Sequence, residues 1–435
     1  MRESTGERPF RVATLDNGLR VVVAPQPQLH RAHVALYVRI GSRFETSERN
    51  GISHFLEHML YRGTPRLASA HEVNLAFESL GGYLYAATQA DFGVFSVTLP
   101  GESIAAATAL FGEVLGHPTF ADIEIEKGIV SEEILEDLDD EGRQIDADNL
   151  SRKQIYPSHP LGFTITGDLA RVRSFDLAML KAHHERHYNA ANAVLAFSGA
   201  VDPDRVFELA NEGFGAMPAG AAIAAEAPVH TQKRPRLSIV ENVSSQTELR
   251  VCFRAVPESS AHRPAMDMLM RILDDGMSTR LYHRVCDAKG LCYDVAGNFD
   301  GYEDDGVLDF AAGVQHARTS VVTRELVDLL CELARHGPTE EELAKARRRN
   351  AWDVKTTFDS PEELAGFYAG GLLFDRFETP EARLAANAAV TPAELRDLSA
   401  LVAQPDRLNV LAVGLLENDE DKRLADVVKG FRGPG

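Results

Sequence analysis

Cysteine is scarce in this chain. Four occur in 435 residues, Cys252, Cys286, Cys292 and Cys331, all in the second half. None forms a Cys-x-x-Cys pair, which excludes a zinc ribbon or a thioredoxin-type site, and four in so long a chain do not make a disulfide scaffold. Basic charge is also short, with 45 Lys and Arg against 65 Asp and Glu and a formal net charge of −20. Phosphate binding needs a basic surface, so nucleic acid is not an expected partner. An acidic surface can attract basic peptides over a distance, or it can simply keep the protein soluble. No stretch of about 18 apolar residues exists, so no membrane-spanning helix is expected. The N-terminal MRESTGERPFRVATL is charged and has no apolar leader core. A cytoplasmic protein is therefore expected, or a periplasmic one if a leader has been removed. A Gly-x-Ser-x-Gly elbow and a phosphate loop are both absent.

What is present suits a globular protein: 44% hydrophobic and 25% charged residues. The length exceeds one ordinary core, and the chain reads as two similar halves. TLDNGLRVVVAP opens the first with a hairpin-type turn at Asn17-Gly18 and a strand, and HVALYVRIGSR gives another. A helix is expected from about Ile52 to Tyr61, paired strands from Leu84 to Leu99, and a helix from Ala121 to Asp140. In this last helix Ile123, Ile129, Val130, Ile134 and Leu138 recur at roughly helical spacing. NAVLAFSGAVD closes the half as a buried strand. Residues 216–236, rich in Ala and Pro, read as a linker. The order then repeats, ending on RLNVLAVG, a strand much like NAVLAFSG. The expectation is an α+β fold of two tandem domains, residues 1–215 and 237–435, each an antiparallel or mixed sheet with helices packed on one face.

The chemical signal lies in GISHFLEHMLYRGT. His54-Phe55-Leu56-Glu57-His58 is His-x-x-Glu-His. On a helix, positions i and i+4 share a face, so both imidazoles can reach one metal ion. Glu57 lies beside them as a base rather than a ligand, the inverted zincin arrangement. A hydrolytic zinc takes three protein ligands and keeps one position open. The third must come from elsewhere, and the acids Glu124, Glu126, Glu132, Glu133 and Glu136 are candidates. Seven residues make nearly two helical turns, so Glu126 and Glu133 share a face. One can ligate while the other orients a histidine. Spacing alone does not choose among the five.

HFLEHMLYRGT followed by IEKGIVSEEILEDLDD resembles the inverzincin superfamily of pitrilysin, insulin-degrading enzyme and mitochondrial processing peptidase. It is nearest to the two-domain processing-peptidase-like branch. TLDNGLRVVVAP, YPSHPLGFTITG, YNAANAVLAFSGAVD, GMSTRLYHRV, GLCYDVAG and GPTEEELAKAR fit in order. The resemblance implies one Zn2+ per chain held by His54, His58 and Glu133, with Glu57 as base and Glu126 as the supporting acid. It implies half of a clamshell around a chamber. A substrate peptide would add as a strand to an edge within residues 81–89, touching Gly82, Tyr83, Leu84, Tyr85 and Ala86. The implied function is a zinc-dependent endopeptidase acting on unfolded peptides.

Two departures qualify that picture. The family commonly has Asn at the place of Tyr85. In active single-chain relatives an Arg and a Tyr of the second half stabilise the oxyanion. The Tyr matches Tyr293, but the Arg matches Cys286, with Arg284 and Arg280 out of register. The resemblance therefore implies a dimer, either a homodimer or a heterodimer whose homologous subunit brings the Arg and Tyr. The rival reading is a catalytically silent scaffold, like the processing-peptidase-like core subunits of respiratory complexes, or a subunit that only binds peptide. His183 and His187 also stand at i and i+4, but no third ligand is apparent and a structural role is expected; His117 and His159 precede prolines and read as loop residues.

Overall fold

The computed structural model describes residues 10–435 and the backbone of residues 2–3. It contains twelve strands: β1 Arg2–Glu3, β2 Arg11–Thr14, β3 Arg20–Pro25, β4 Arg31–Val38, β5 Leu84–Thr88, β6 Gly93–Pro100, β7 Ala193–Gly199, β8 Arg236–Val240, β9 Thr247–Arg254, β10 Cys292–Gly301, β11 Gly306–Val314 and β12 Leu408–Val413. They form two sheets, ordered β1-β2-β3-β7-β4-β6-β5 and β10-β11-β9-β12-β8. The second repeats the last five strands of the first. In each, one parallel pair, β3 with β7 and β8 with β12, sits among antiparallel neighbours. The α+β duplication read from element order is present, and the sheets are mixed.

Local chemistry explains the elements. At the β2–β3 turn Gly18 takes φ 95°, which a side chain rarely adopts. Asn17 Oδ1 accepts from the Leu19 amide at 3.1 Å, and its Nδ2 donates to the Phe214 carbonyl at 2.8 Å. β7 is buried at every position, as expected of a strand covered on both faces.

The compact units differ from continuous halves at 215 and 237. One comprises residues 1–134, 163–226 and 355–379; the other comprises 135–162, 227–354 and 380–435. Within the first, the helix Pro361–Leu373 lays Leu364, Ala365, Tyr368, Ala369 and Leu373 against Val22, Ala24, Val194 and Ala196 of the sheet. Within the second, the helix Ala147–Ile155 packs by Ala147 on Leu411 and Val413. Each sheet thus takes one covering helix from the other half of the sequence.

β5 is the free edge of the first sheet, antiparallel to β6. Leu84, Tyr85 and Ala86 lie in it, whereas Gly82 and Tyr83 lie just before it. Among the described residues, no helix is long and apolar enough to cross a membrane.

Candidate metal centre

The helix Ile52–Leu60 carries the motif. Gly51 before it has φ 92°, and a Cβ there would lie 2.5 Å from the Thr166 carbonyl, so the entry turn requires glycine. The first amides of the helix have no partner within it. Glu45 satisfies two of these end groups: its Oε2 accepts from the Gly51 amide at 2.8 Å and its Oε1 from the Ser53 amide at 2.8 Å. Asn50 Nδ2 adds a third bond at 3.0 Å. Burial holds the Glu45 carboxyl above its ordinary pKa, with these donors opposing. Negative charge at a helix N-terminus is also favoured by the helix dipole.

The helix Ile123–Glu136 supplies the acids and separates them by face. Glu126 is buried and Glu133 is half-buried, while Glu124, Glu132 and Glu136 are exposed. Ile129, read from spacing as part of the apolar stripe, is 48% exposed. The buried stripe runs instead through Glu126, Val130 and Ile134, so Ile129 falls on the outer side.

Glu133 meets both motif histidines. His54 Nε2 lies 3.5 Å from its Oε1, and His58 Nε2 lies 3.7 Å from its Oε2. One ligand atom from each of the three residues falls within 4.8 Å of the others, the one such group of three His, Cys, Asp or Glu among the described residues. Burial, and then the neighbouring His58, pull His54 down to about 3, so it is a neutral imidazole with a lone pair. His58 Nδ1 donates to Glu126 Oε1 at 2.8 Å, leaving Nε2 directed at Glu133. Burial pulls His58 down, but the Glu126 bond and the charges of Glu126, Glu57 and Glu133 outweigh it and raise the pKa. Arg62 closes the chain by bonding the other Glu126 oxygen.

Glu57 accepts from Thr88 Oγ1 at 2.5 Å through Oε2. Its pKa is raised, chiefly by burial and further by Glu133, against the pull of Thr88 and His58. The hydroxyls of Tyr61 and Tyr188 are buried in its field without hydrogen-bond partners.

His183 and His187 do not converge on a third ligand. His183 Nε2 shares a hydrogen bond with Ser53 Oγ at 3.0 Å, and His187 Nδ1 donates to the Arg39 carbonyl at 2.9 Å. His183 thus ties the motif helix at Ser53, and His187 ties the backbone at Arg39. Tyr293 stands near the start of β10 in the second unit, 91% exposed. Cys286 is half-buried with its Sγ 3.6 Å from that of Cys292. The two off-register arginines are occupied: Arg280 with Glu342 at 2.6 and 2.8 Å, and Arg284 with Glu325 and Glu332 at 2.7 Å each.

Glu45, Arg62 and Thr88 were not singled out from sequence. Arg62 alone left a readable sign, since it follows His58 by four residues, although it lies in the turn just after the helix ends at Leu60. Glu45 and Thr88 reach the site through tertiary folding.

Two sheets of matching strand order, with a His/His/Glu cluster on the first, define a duplicated metallopeptidase-like protein. Residues 20–168 match the family model described as Insulinase (Peptidase family M16), and residues 174–350 match the Peptidase M16 inactive domain. A protein of Mycobacterium tuberculosis named an uncharacterized zinc protease is 32% identical over 347 residues, spanning 78% of this chain and 77% of that protein. One of Bacillus subtilis with the same description is 30% identical over 353 residues, spanning 80% and 84%. The chain belongs to peptidase family M16. The crystal structure of a protease from Helicobacter pylori shares the fold, with a TM-score of 0.86 at 21% identity over 93% of this chain and 99% of that one.

Proposed function

We propose that the chain is a zinc-dependent endopeptidase acting on unfolded peptides, with His54, His58 and Glu133 as the ligands of one Zn2+. The convergence of these three side chains carries the reading. Zinc bonds to nitrogen and oxygen of about 2.0–2.1 Å place tetrahedral ligand atoms about 3.3 Å apart, close to the 3.5 and 3.7 Å found here. The donor set suits the ion: two imidazoles, one carboxylate, and one position left for water. When bound, zinc supplies Lewis-acid polarisation of a carbonyl and acidification of a water.

The remaining chemistry belongs to the chain. Glu57 takes a proton from the attacking water and hands it to the leaving amine. Thr88 pins Oε2 of this carboxylate, leaving Oε1 for the transfer. A base with a pKa raised toward working pH suits a group that must both accept and release. Glu126 fixes the His58 tautomer. The free edge of β5 is the proposed docking line for the substrate backbone, through Leu84, Tyr85 and Ala86 with Gly82 and Tyr83 leading in.

Oxyanion support is proposed to come from Tyr293 and from an arginine outside this chain. A thiol at Cys286 offers no cationic donor, and Arg280 and Arg284 are committed to carboxylates. The proposed assembly is a dimer in which a homologous subunit bearing its own Arg and Tyr supplies the arginine. The test is cleavage of an unstructured peptide by the chain alone and then with such a co-encoded relative. Activity that rises at least a hundredfold on mixing supports the split site. Full activity alone removes it while leaving the peptidase reading in place. A silent scaffold would cleave nothing in either case and carry no zinc.

A further inference from the structure

The first sheet has a cavity on the face turned away from the motif helix. Thr88 reaches Glu57, so Leu84, Ala86 and Thr88 of β5 point toward that helix, and Tyr85 and Ala87 point the other way. On this other face the register places Tyr85 across from Ser96, and Ser96 across from Ala35. One row further along, Val94 lies across from Tyr37. The result is a cavity of about 480 Å3 with Tyr37, Tyr83 and Tyr85 as walls, Val94 and Ser96 in the floor and Glu362 at one end.

Two features make this more than a surface dent. Tyr83 is 76% exposed and Tyr85 is 56% exposed. Natural edge strands are usually guarded by charge, and exposed aromatics grouped beside an edge mark a contact surface. The charged end is also already balanced. Glu362 Oε1 accepts from Thr98 Oγ1 at 2.7 Å and pairs with Arg31 at 3.1 Å, and its Oε2 accepts from Ser360 Oγ at 2.9 Å. His33 Nδ1 donates to Thr98 at 2.9 Å and completes the relay. No unmatched charge remains to attract a basic or an acidic side chain.

We infer that this cavity is a specificity pocket that takes a large uncharged side chain, aromatic before aliphatic, from a peptide paired to β5. The inference rests on the peptidase reading above. In an added strand, side chains alternate between faces, so residues flanking those that face the motif helix enter the tyrosine pocket. Ring-on-ring contact with Tyr83 and Tyr85 then selects the residue. Tyr85 stands where the resemblance implies Asn, and so makes the pocket a property of this chain.

The test uses the zinc-loaded full chain carrying Glu57→Gln, which binds without turnover. Fluorescein-labelled unstructured decapeptides carry Phe, Gly, Arg or Glu at one position at a time, and binding is read by fluorescence anisotropy. Phe is expected to bind about tenfold or more tighter than Gly at positions two residues apart. That preference should disappear with Tyr83→Ala and Tyr85→Ala and survive Tyr85→Phe. Both tyrosines are exposed, so the alanine variants keep their fold, which circular dichroism verifies. A Phe preference unchanged in the double alanine variant overturns the pocket, as does a preference for Arg or Glu at those positions, or no binding at all. The two readings fail separately. Tyrosine-dependent binding without cleavage by the wild-type chain, either alone or with the relative bearing Arg and Tyr, sinks the peptidase alone, and cleavage unchanged by the tyrosine substitutions sinks the pocket alone.

Discussion

Glu126 holds His58 by its Nδ1 at 2.8 Å, and Arg62 bonds the other oxygen of the same carboxylate. A buried acid thus sets the tautomer of one imidazole and is itself kept ionised. Burial raises the Glu126 pKa, but the His58 and Arg62 bonds and their charges lower it overall. Replacing Glu126 with Gln is expected to weaken zinc affinity by about 10- to 100-fold. Competition with a chromophoric chelator measures this. Unchanged affinity would show that His58 does not need its partner.

Glu57→Gln is expected to keep the metal and the fold while lowering kcat by at least about a hundredfold. Steady-state peptide cleavage alongside metal analysis of the same sample checks both halves. Retained turnover in a zinc-loaded variant would refute the base assignment.

Glu45 is 6% exposed and bonds the Gly51 and Ser53 amides at the start of the motif helix. Glu45→Ala leaves two buried amides without acceptors, a loss of roughly 2–4 kcal/mol. Urea unfolding should show the midpoint falling at constant slope. A midpoint within error of wild type would mean that water replaces the carboxylate at no cost.

Acid should destabilise the first sheet through His33. Burial holds this imidazole at about 4, below its ordinary 6.5, with Glu362 opposing and Arg31 assisting. The unfolded chain therefore binds a proton between those values that the folded chain refuses. The contribution is absent above pH 6.5 and grows as pH falls toward 4, reaching about 3 kcal/mol there. His187, also held at about 4 by burial, acts in the same direction. Thermal unfolding at pH 7 and pH 5 should show the loss, and His33→Asn should flatten it. Equal pH slopes in both chains would remove His33 from the account.

Much of this was legible in the sequence because it was written in local spacing. His54, Glu57 and His58 needed only the geometry of one helical turn, and Glu126 and Glu133 needed two. The repeat of strand order was visible because β7 and β12 are similar, largely apolar strands, AVLAFSG and LNVLAV. The covering helices were not visible, for opposite reasons. Ala147–Ile155 buries only Ala147, Ser151 and Ile155, too thin a stripe to signal a packed helix. Pro361–Leu373 contains Gly370 and Gly371, which weaken any helical reading. Their membership in the opposite units depends on long-range packing that periodicity does not encode. Spacing did not separate Glu133 from its four acidic neighbours, and only the resemblance named it, because which side of the helix is buried is set by long-range packing.

The most direct measurement is zinc content by inductively coupled plasma mass spectrometry, after exhaustive dialysis, for the wild-type chain and for Glu133→Ala. The account predicts about one zinc per chain in the first and a small fraction of that in the second. Zinc missing from the wild type, or held equally well once the residue-133 carboxylate is gone, would contradict it.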